Sequence, residues 1–221
     1  MLPFAVDFGG SVVATTDYIY EGLSQTRHDP ALQGDLHWRA SDGSFIGVWA
    51  TTANPPPDRR SGMELNLYAG HQWNLGPQWS ATLTYTRYAY PDSRAHALYD
   101  HDEWRAALSF EDRVTVSAAF KPDVLRYSLW SDGYGRGAQW TYEATFRQAL
   151  WHGLSLTAGA GYYDLDDLFR GSYWAWNGGL AYALPHLQLS AGRFGVQSVA
   201  RRVFGGQTAD GRWALTAVAS F

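Results

Sequence analysis

The chain has 221 residues, a formal net charge of −4 and no cysteine, and 16% of its residues are aromatic. The slight negative charge argues against a protein with the basic face that nucleic-acid binding requires, so no nucleic acid is expected as a partner. The lack of cysteine excludes a disulfide framework and a thiolate metal site. The seven histidines show no HxH or HExxH spacing, so we expect neither a metal nor another cofactor.

Hydropathy excludes a membrane-spanning helix but not a membrane protein. Mean hydropathy is −0.31, and no apolar run reaches about 18 residues, the length that a spanning helix needs. A membrane barrel has unremarkable hydropathy, because its strands alternate lipid-facing apolar with lumen-facing polar residues. The opening MLPFAVDFGG has no basic start and no long apolar run, so we expect a mature form without a signal peptide.

Alternation with a period of two residues runs through the chain and predicts strands. In one example, Met63 and Leu65 alternate with Glu64 and Asn66. About twelve such segments occur, each near the ~10 residues of a tilted membrane strand. Their predicted spans are 10–21, 30–40, 44–53, 63–74, 78–90, 102–111, 113–124, 138–150, 153–164, 172–184, 186–196 and 211–221.

The connections between these segments alternate in length. Short turns rich in Gly, Pro and Asp lie at 41–43, 75–77, 111–113, 151–153 and 184–186. Longer loops lie at 22–29, 54–62, 91–101, 125–137, 165–171 and 197–210. Short turns on one side, long loops on the other and an even strand number are typical of outer-membrane barrels.

The sequence therefore predicts an all-β fold, a single transmembrane antiparallel β-barrel over residues 1–221 in the bacterial outer membrane. We expect about twelve strands, short periplasmic turns, longer extracellular loops and both termini in the periplasm. Residues 1–9 are expected to form a short N-terminal periplasmic segment. The alternative is a soluble β-sandwich or lipocalin-type barrel, in which the polarity of the two faces is reversed. Terminal Trp and Tyr residues on the apolar stripes, such as Trp73 and Trp104, favour the membrane.

Residues 10–38, GSVVATTDYIYEGLSQTRHDPALQGDLHW, carry a distinctive set of short elements. These are Thr16-Asp17-Tyr18, Gly22, Ser24-Gln25, Pro30-Ala31 and Gln33-Gly34. The stretch resembles the opening of the TorF-like porin family, bacterial outer-membrane barrels of unknown function. The rest of the chain is similar only in length, strand rhythm and final Phe. The resemblance implies an outer-membrane barrel and little about the solute, and Glu21 stands where the family usually has a basic residue.

Strand parity places a set of charged side chains inside the barrel. They are Asp17, Glu21, Asp35, His37, Arg39, Glu64, Glu103, Arg105, Lys121, Glu143 and Arg147. One interpretation is a porin with a water-filled passage for passive diffusion of small polar solutes. The other is a network of ion pairs that closes the lumen. Eight-stranded barrels are filled and sixteen-stranded ones are open, so twelve strands leave both interpretations standing. The mixed signs argue against strong charge selectivity.

Arginines in the long loops are candidates for binding anions. The set comprises Arg59, Arg60, Arg201 and Arg202. Because arginine suits bidentate phosphate contacts, these residues predict contact with lipopolysaccharide or an anionic solute, against the alternative of ordinary solvated loop charge. They support a second functional hypothesis, a closed structural or partner-binding barrel that contacts lipopolysaccharide or a surface assembly.

We expect no enzymatic activity, and an outer-membrane hydrolase is the weakest of the three hypotheses. Asp100, His101 and Asp102 form an acid–histidine cluster of the kind that could activate a water molecule. A barrel lipase would need a serine–histidine pair at the lipid boundary. His71 lies on an apolar face, but the sequence identifies no serine as its partner.

The chain ends in GRWALTAVASF, in which Trp213, Leu215 and Ala217 share the face of Phe221. This pattern is typical of the last strand of bacterial outer-membrane proteins, whose final aromatic residue is read by the barrel assembly machinery. We therefore predict that Phe221 and Trp213 act as an assembly signal, and that this machinery is a partner during biogenesis.

Deletion of Phe221 tests the assembly signal. We expect assembly in cells to fall far more than the stability of the same variant refolded in detergent, because the residue is read during delivery. Heat-modifiable gel mobility of membrane fractions and of the refolded protein measures the two effects. Assembly of the shortened chain at the level of the full chain would contradict the prediction.

Overall fold

The alternating segments form long antiparallel strands that close into a barrel. The computed structural model describes residues 6–53, 62–91, 99–128, 133–169 and 171–221. Its strands are β1 (Val6–Thr15), β2 (Ile19–Tyr20), β3 (Leu23–Ser24), β4 (Ala31–Ala40), β5 (Ser44–Ala53), β6 (Gly62–Asn74), β7 (Trp79–Ala89), β8 (His101–Phe110), β9 (Val114–Ser128), β10 (Gly133–Ala149), β11 (Leu154–Asp164), β12 (Tyr173–Ala183), β13 (Leu187–Val196) and β14 (Arg212–Ser220). Its short helices are α1 (Asp166–Phe169), α2 (Ser198–Phe204) and α3 (Gly206–Ala209). Within these ranges, no helix is long and apolar enough to cross a membrane.

The barrel wall consists of β1 and β4 to β14, with each strand paired to its neighbours in chain order. β1 closes the ring by pairing with β4 on one side and with β14 on the other. The seam ends at Thr16, whose N–H donates to the carbonyl of Leu215 at 3.0 Å and whose hydroxyl accepts from the N–H of Leu215 at 3.0 Å. Closure matters because an open strand edge would leave unpaired backbone groups.

The two ends of the barrel differ in their connections. The turn end carries the short turns at 41–43, 75–78, 111–113, 150–153 and 184–186. Left-handed backbone at Glu111 and Asp112 suits a tight hairpin turn there. The opposite end, here the loop end, carries α1, α2, α3 and the chain between β1 and β4.

The outer face of the wall is apolar and has an aromatic band near each end. The loop-end band comprises Tyr85, Trp104, Phe120, Trp140, Tyr142, Tyr162 and Trp174, and the contacts recorded between its rings have centroids 4.6 to 6.5 Å apart. The turn-end band comprises Phe8, Trp38, Trp73, Trp79, Phe110, Trp151 and Phe221. Exposed aliphatic side chains such as Leu67 and Leu180 lie between the bands.

Residues 16–30, here called the inward segment, leave the wall and fold into the loop end of the barrel. β2 and β3 form a small hairpin within the inward segment, with Ile19 opposite Ser24 and Tyr20 opposite Leu23. Leu23 joins an apolar core at the loop end whose buried members are Leu23, Tyr163, Leu165, Leu168, Tyr173, Ala175, Ala200 and Ala209. The loop end is therefore packed.

The structure corrects three sequence-based boundaries. Residues 6–9 of the segment predicted at 1–9 belong to β1 and pair with β4, and residues 1–5 lie outside the described ranges. The strand predicted at 10–21 ends at Thr15, because the chain turns inward. The loop predicted at 125–137 is mostly strand, since β9 and β10 remain paired as far as Ser128 and Gly133.

Candidate functional site in the barrel lumen

The interior of the barrel has a buried half and an accessible half. Towards the loop end, Glu64 and Glu103 are each 2% exposed and Lys121 is 3% exposed. Towards the turn end, the inward-facing Arg39 and Thr145 are exposed. The inward segment accounts for the difference, because it occupies the lumen beside the buried group and not at the turn end.

A chain of alternating charges crosses the buried half and joins the inward segment to the wall. Lys121 Nζ lies 2.7 Å from a carboxylate oxygen of Glu21 and 3.6 Å from one of Glu103. The Nε of Arg105 donates to Glu103 at 3.0 Å, and its Nη1 donates to Glu143. Each charge in this chain of five therefore has an opposite charge beside it, which offsets part of its desolvation cost.

Neutral donors complete the carboxylates of this charge chain. Tyr20 donates to Glu103 at 3.1 Å, and Tyr163 donates to Glu143 at 2.8 Å. The Lys121 ammonium also lies 4.8 Å from the centroid of the Tyr20 ring, a cation–π distance. The charged groups of this network therefore have their hydrogen-bond and ionic partners on both the wall and the inward segment.

The tip of the inward hairpin is a tight turn in left-handed backbone. Glu21 has φ 52° and Gly22 has φ 76°, which matches a two-residue type I′ turn. A side-chain carbon at Gly22 would clash with Ala175 and Val196, so glycine is required for the tip to reach β12 and β13. Glu21 in this region costs about 1 kcal/mol or more, and its contacts with Lys121 and Gln139 offset that strain.

Asp17 anchors the base of the inward segment through a second buried pair. Its carboxylate accepts from Ser24 at 2.5 Å, from Thr26 at 3.0 Å and from Arg212 at 3.1 Å. Arg212 also donates to the carbonyl oxygens of Thr208 and Asp210. Arg212 was not among the predicted site residues, although its inward parity on the terminal strand could have identified it.

Other predicted lumen residues form a second polar group near the turn end. His37 Nδ1 lies 2.6 Å from Asp35, and Tyr68 donates to the other oxygen of that carboxylate at 2.6 Å. Arg39 donates to Gln72 at 2.9 Å. The contact between His37 and Asp35 lies within β4, and the other two join β4 to β6 across β5.

Two predicted residues remain to be placed, Arg147 and Glu64. Arg147 on β10 donates to Gln188 on β13 at 3.1 Å, across two strands. Glu64 lies on β6 and accepts from Asn66 at 2.9 Å. All eleven predicted lumen residues lie within described ranges, and their part in solute passage stays a prediction.

A cavity of about 270 Å³ lies in the lumen against the tip of the inward hairpin. Its lining combines Tyr20 and Gly22 from that hairpin with Arg105 and Glu143 from the wall. Small residues line much of the rest, including Gly159, Gly161 and Ala175. Charged side chains line the cavity on the side of β8 and β10, and small residues line it on the side of β11 and β12.

The loop arginines and terminal aromatics lie away from the lumen network. Arg201 lies 2.7 Å from Asp210, with both side chains exposed, and Arg202 is exposed on α2. Arg59 and Arg60 lie outside the described residues. Trp213 and Phe221 are 66% and 65% exposed on the outer face. The anion-binding and assembly roles stay predictions.

The structure does not assemble the acid–histidine cluster. His101 stacks on Tyr88 with ring centroids 4.4 Å apart, and its Nδ1 lies 2.9 Å from the carbonyl of Tyr99. Asp100 and Asp102 instead each lie 3.3 Å from Arg87. Alternation along the strand separates His101 from Asp102, since successive side chains point to opposite faces.

The structure does reveal a serine beside His71 that the sequence did not identify. Ser44 Oγ and His71 Nδ1 are 3.0 Å apart on the outer face near the turn end. The Ser44 N–H donates to Asp42 at 2.8 Å and lowers the pKa of that carboxyl. The Gly43 N–H is likewise bonded, to Ala40. Neither of these two N–H groups is free to stabilise an oxyanion.

The architecture is that of a porin barrel, and solved structures share it. The chain is similar to the NanC porin, with a TM-score of 0.64 and 10% identity over 95% of this chain and 98% of that one. It is similar to the KdgM porin, with a TM-score of 0.56 and 9% identity over 96% and 99%. An outer membrane channel from Pseudomonas putida F1 gives 0.54 and 14% over 100% and 97%. At such identities the likeness establishes the fold alone.

The chain belongs to a family described as "Bacterial protein of unknown function (Gcw_chp)", whose model matches residues 3–210. No curated protein matches the chain.

Replacement of Asp17 by Asn tests the anchor of the inward segment. Asp17 and Arg212 are 4% and 5% exposed, and removing one partner of a buried pair costs about 3–5 kcal/mol. We expect amide hydrogen exchange in residues 16–30 to accelerate roughly 100-fold, while the wall strands keep their protection. Asp42→Asn, at an exposed turn, serves as the control. Unchanged exchange in 16–30, or an equal loss over the whole wall, would contradict the anchor.

Proposed function

We propose that this chain is an outer-membrane porin that lets small polar solutes diffuse passively through its lumen, as the resemblance to TorF-like porins implies. The proposal rests on one observation: the group that obstructs the lumen is the inward segment. The tight section depends on the inward segment, a piece of chain that is not part of the wall. Displacing the inward segment would leave a twelve-strand wall with an accessible polar interior.

The surface of the barrel supports a membrane location. Apolar side chains cover the outer face between two aromatic bands, and such bands lie at the two membrane–water interfaces of outer-membrane barrels. We infer that the turn end faces the periplasm and the loop end faces the cell exterior.

The lumen charges indicate the solutes that would pass. Near the tightest section, Glu21, Glu103 and Glu143 alternate with Lys121 and Arg105. A path that meets both signs gives weak charge selectivity. The cavity of about 270 Å³ suits a solute of a few non-hydrogen atoms or a larger one after the inward segment moves. Passage needs no reacting group, so we expect no enzymatic activity.

The packed loop end favours a second candidate, a closed structural or partner-binding barrel. Leu168 and Tyr173 are 3% and 1% exposed in the core that covers the inward segment. If this core never opens, the barrel would serve through its outer face and loops.

Single-channel recording in planar bilayers tests the porin proposal. We expect the wild-type protein to give a reproducible conductance. Glu21→Gln removes the charge that binds Lys121, so we expect its open fraction to rise roughly twofold or more, as a population shift of the inward segment. Replacing residues 17–28 by a Gly/Ser linker of equal length should raise the conductance step several-fold.

The matched control is Asp42→Asn, a carboxylate removed from the turn end rather than from the lumen, and we expect no change in current. A folded wild-type barrel that stays silent would refute the porin proposal and leave the closed barrel. If the barrel conducts but neither inward-segment variant changes its current, the obstruction lies elsewhere.

A further inference from the structure

The outer wall carries three strand arginines whose side chains the structure describes. They are Arg87, Arg136 and Arg193. Arg87 lies 3.3 Å from Asp100, and Arg136 lies 2.7 Å from Asp123. Among the described residues, Arg193 has neither a carboxylate within ion-pair distance nor a hydrogen-bond partner. Its positive charge is therefore unmatched by this part of the chain.

Arg193 points away from the lumen, towards the loop end of the wall. Its register partners on β14 and β12 are Trp213, which is 66% exposed, and Gly178. The next residue, Phe194, lines the lumen cavity, so alternation turns Arg193 outward. A side-chain carbon at Gly211 would lie 3.1 Å from Nη2 of Arg193, which places the guanidinium beside the start of β14.

Aromatic side chains border this position on the outer face. Trp174 and Trp176 on β12 are 51% and 52% exposed. Trp176 lies over Gly195, where any larger residue would clash with its ring. Indole rings of this kind settle at the boundary between hydrocarbon and headgroups. The guanidinium of Arg193 therefore lies at headgroup level if the barrel spans a membrane.

Further positive charge lies beside Arg193 on the loop end. Asp210 precedes Gly211 and binds Arg201 at 2.7 Å. Arg202 follows on α2 and is exposed. Arg201 and Arg202 therefore add two positive charges, against one negative charge on Asp210, to the connection between β13 and β14.

We propose that Arg193, together with Arg201 and Arg202, binds the phosphate of a lipid in the surrounding outer leaflet, a phosphorylated lipid of the lipopolysaccharide class. A guanidinium at headgroup level lies within reach of lipid phosphates, and it matches phosphate oxygens with two parallel hydrogen bonds. Trp213 and Trp176 would contact the sugar and acyl parts of the same lipid. The inference rests on the proposed function only in placing the barrel in that membrane.

Native mass spectrometry of the full chain in detergent tests this site with bisphosphorylated lipid A as the probe. We expect wild type to retain lipid A and Arg193→Gln to bind it about tenfold more weakly, the loss of one charge-assisted contact. Arg193→Lys should bind with intermediate affinity, since it keeps the charge but not the bidentate geometry. The control is Arg113→Gln, an exposed arginine at the turn end with Glu111 at 3.4 Å, and it should leave binding unchanged.

Three results would overturn the site. They are equal binding of dephosphorylated lipid A, an equal loss in Arg113→Gln, and displacement of lipid A by inorganic phosphate at the same concentration. The last result would identify a free-anion site. Channel current separates this inference from the porin proposal, because Arg193 faces away from the lumen and Arg193→Gln should conduct as wild type does. A silent barrel that binds lipid A would refute only the porin.

Discussion

The pairing of β1 with two neighbours at once determines much of the molecule. β1 completes the ring by bonding to β4 and to β14, and both pairings stop at Thr15. The chain between Thr15 and Ala31 therefore has no place in the wall. Thr16 finishes the seam by bonding Leu215 through its backbone and its hydroxyl. The residues that follow turn into the lumen, and the narrow section of the barrel results.

Ionic contacts then hold the inward segment against the wall. Asp17 and Glu21 leave water on folding, and each is matched by a wall cation, Arg212 and Lys121. Low surrounding polarity strengthens such contacts, but it also makes an unmatched partner costly. The inward segment is thus held in place by these ionic contacts together with ring contacts of Tyr18 and Tyr20 and the apolar packing of Leu23.

The wall could be predicted from the sequence far better than the contents of the lumen. Alternation along residues such as Met63 to Asn66 reports directly on a two-faced strand, and the turn residues at 41–43 mark strand ends. The inward segment kept the same parity as β1, with Asp17 and Glu21 in phase with Thr15, so the sequence resembled a continuous strand. A continuous strand and a strand followed by an inward turn differ only in where pairing with β14 stops, which is at Thr15 in the structure. Similarly, residues 125–137 were predicted to form a loop, whereas backbone pairing continues through Gly133, Gly135 and Gly137.

Side-chain partners were the hardest to predict, because they depend on strands distant in sequence. The pairing of Ser44 with His71 and that of Arg193 with Trp213 follow from strand register, which alternation alone does not specify. The direction in which each charged side chain points was also informative, beyond the number of charges in the chain. The inward charges Glu21 and Asp17 have ionic partners on the facing wall, whereas the outward Arg193 has none among the described residues.

The anchor between Asp17 and Arg212 joins residues 195 positions apart in the chain. Its wall partner lies on the last strand, and Lys121, the ionic partner of Glu21, lies on β9. Most of the loop-closure entropy must therefore be spent before these contacts can form. The inward segment is made early but can dock only in a nearly complete ring. We therefore expect its two carboxylates to stay hydrated until then, so that docking of the inward segment marks a barrel that has closed.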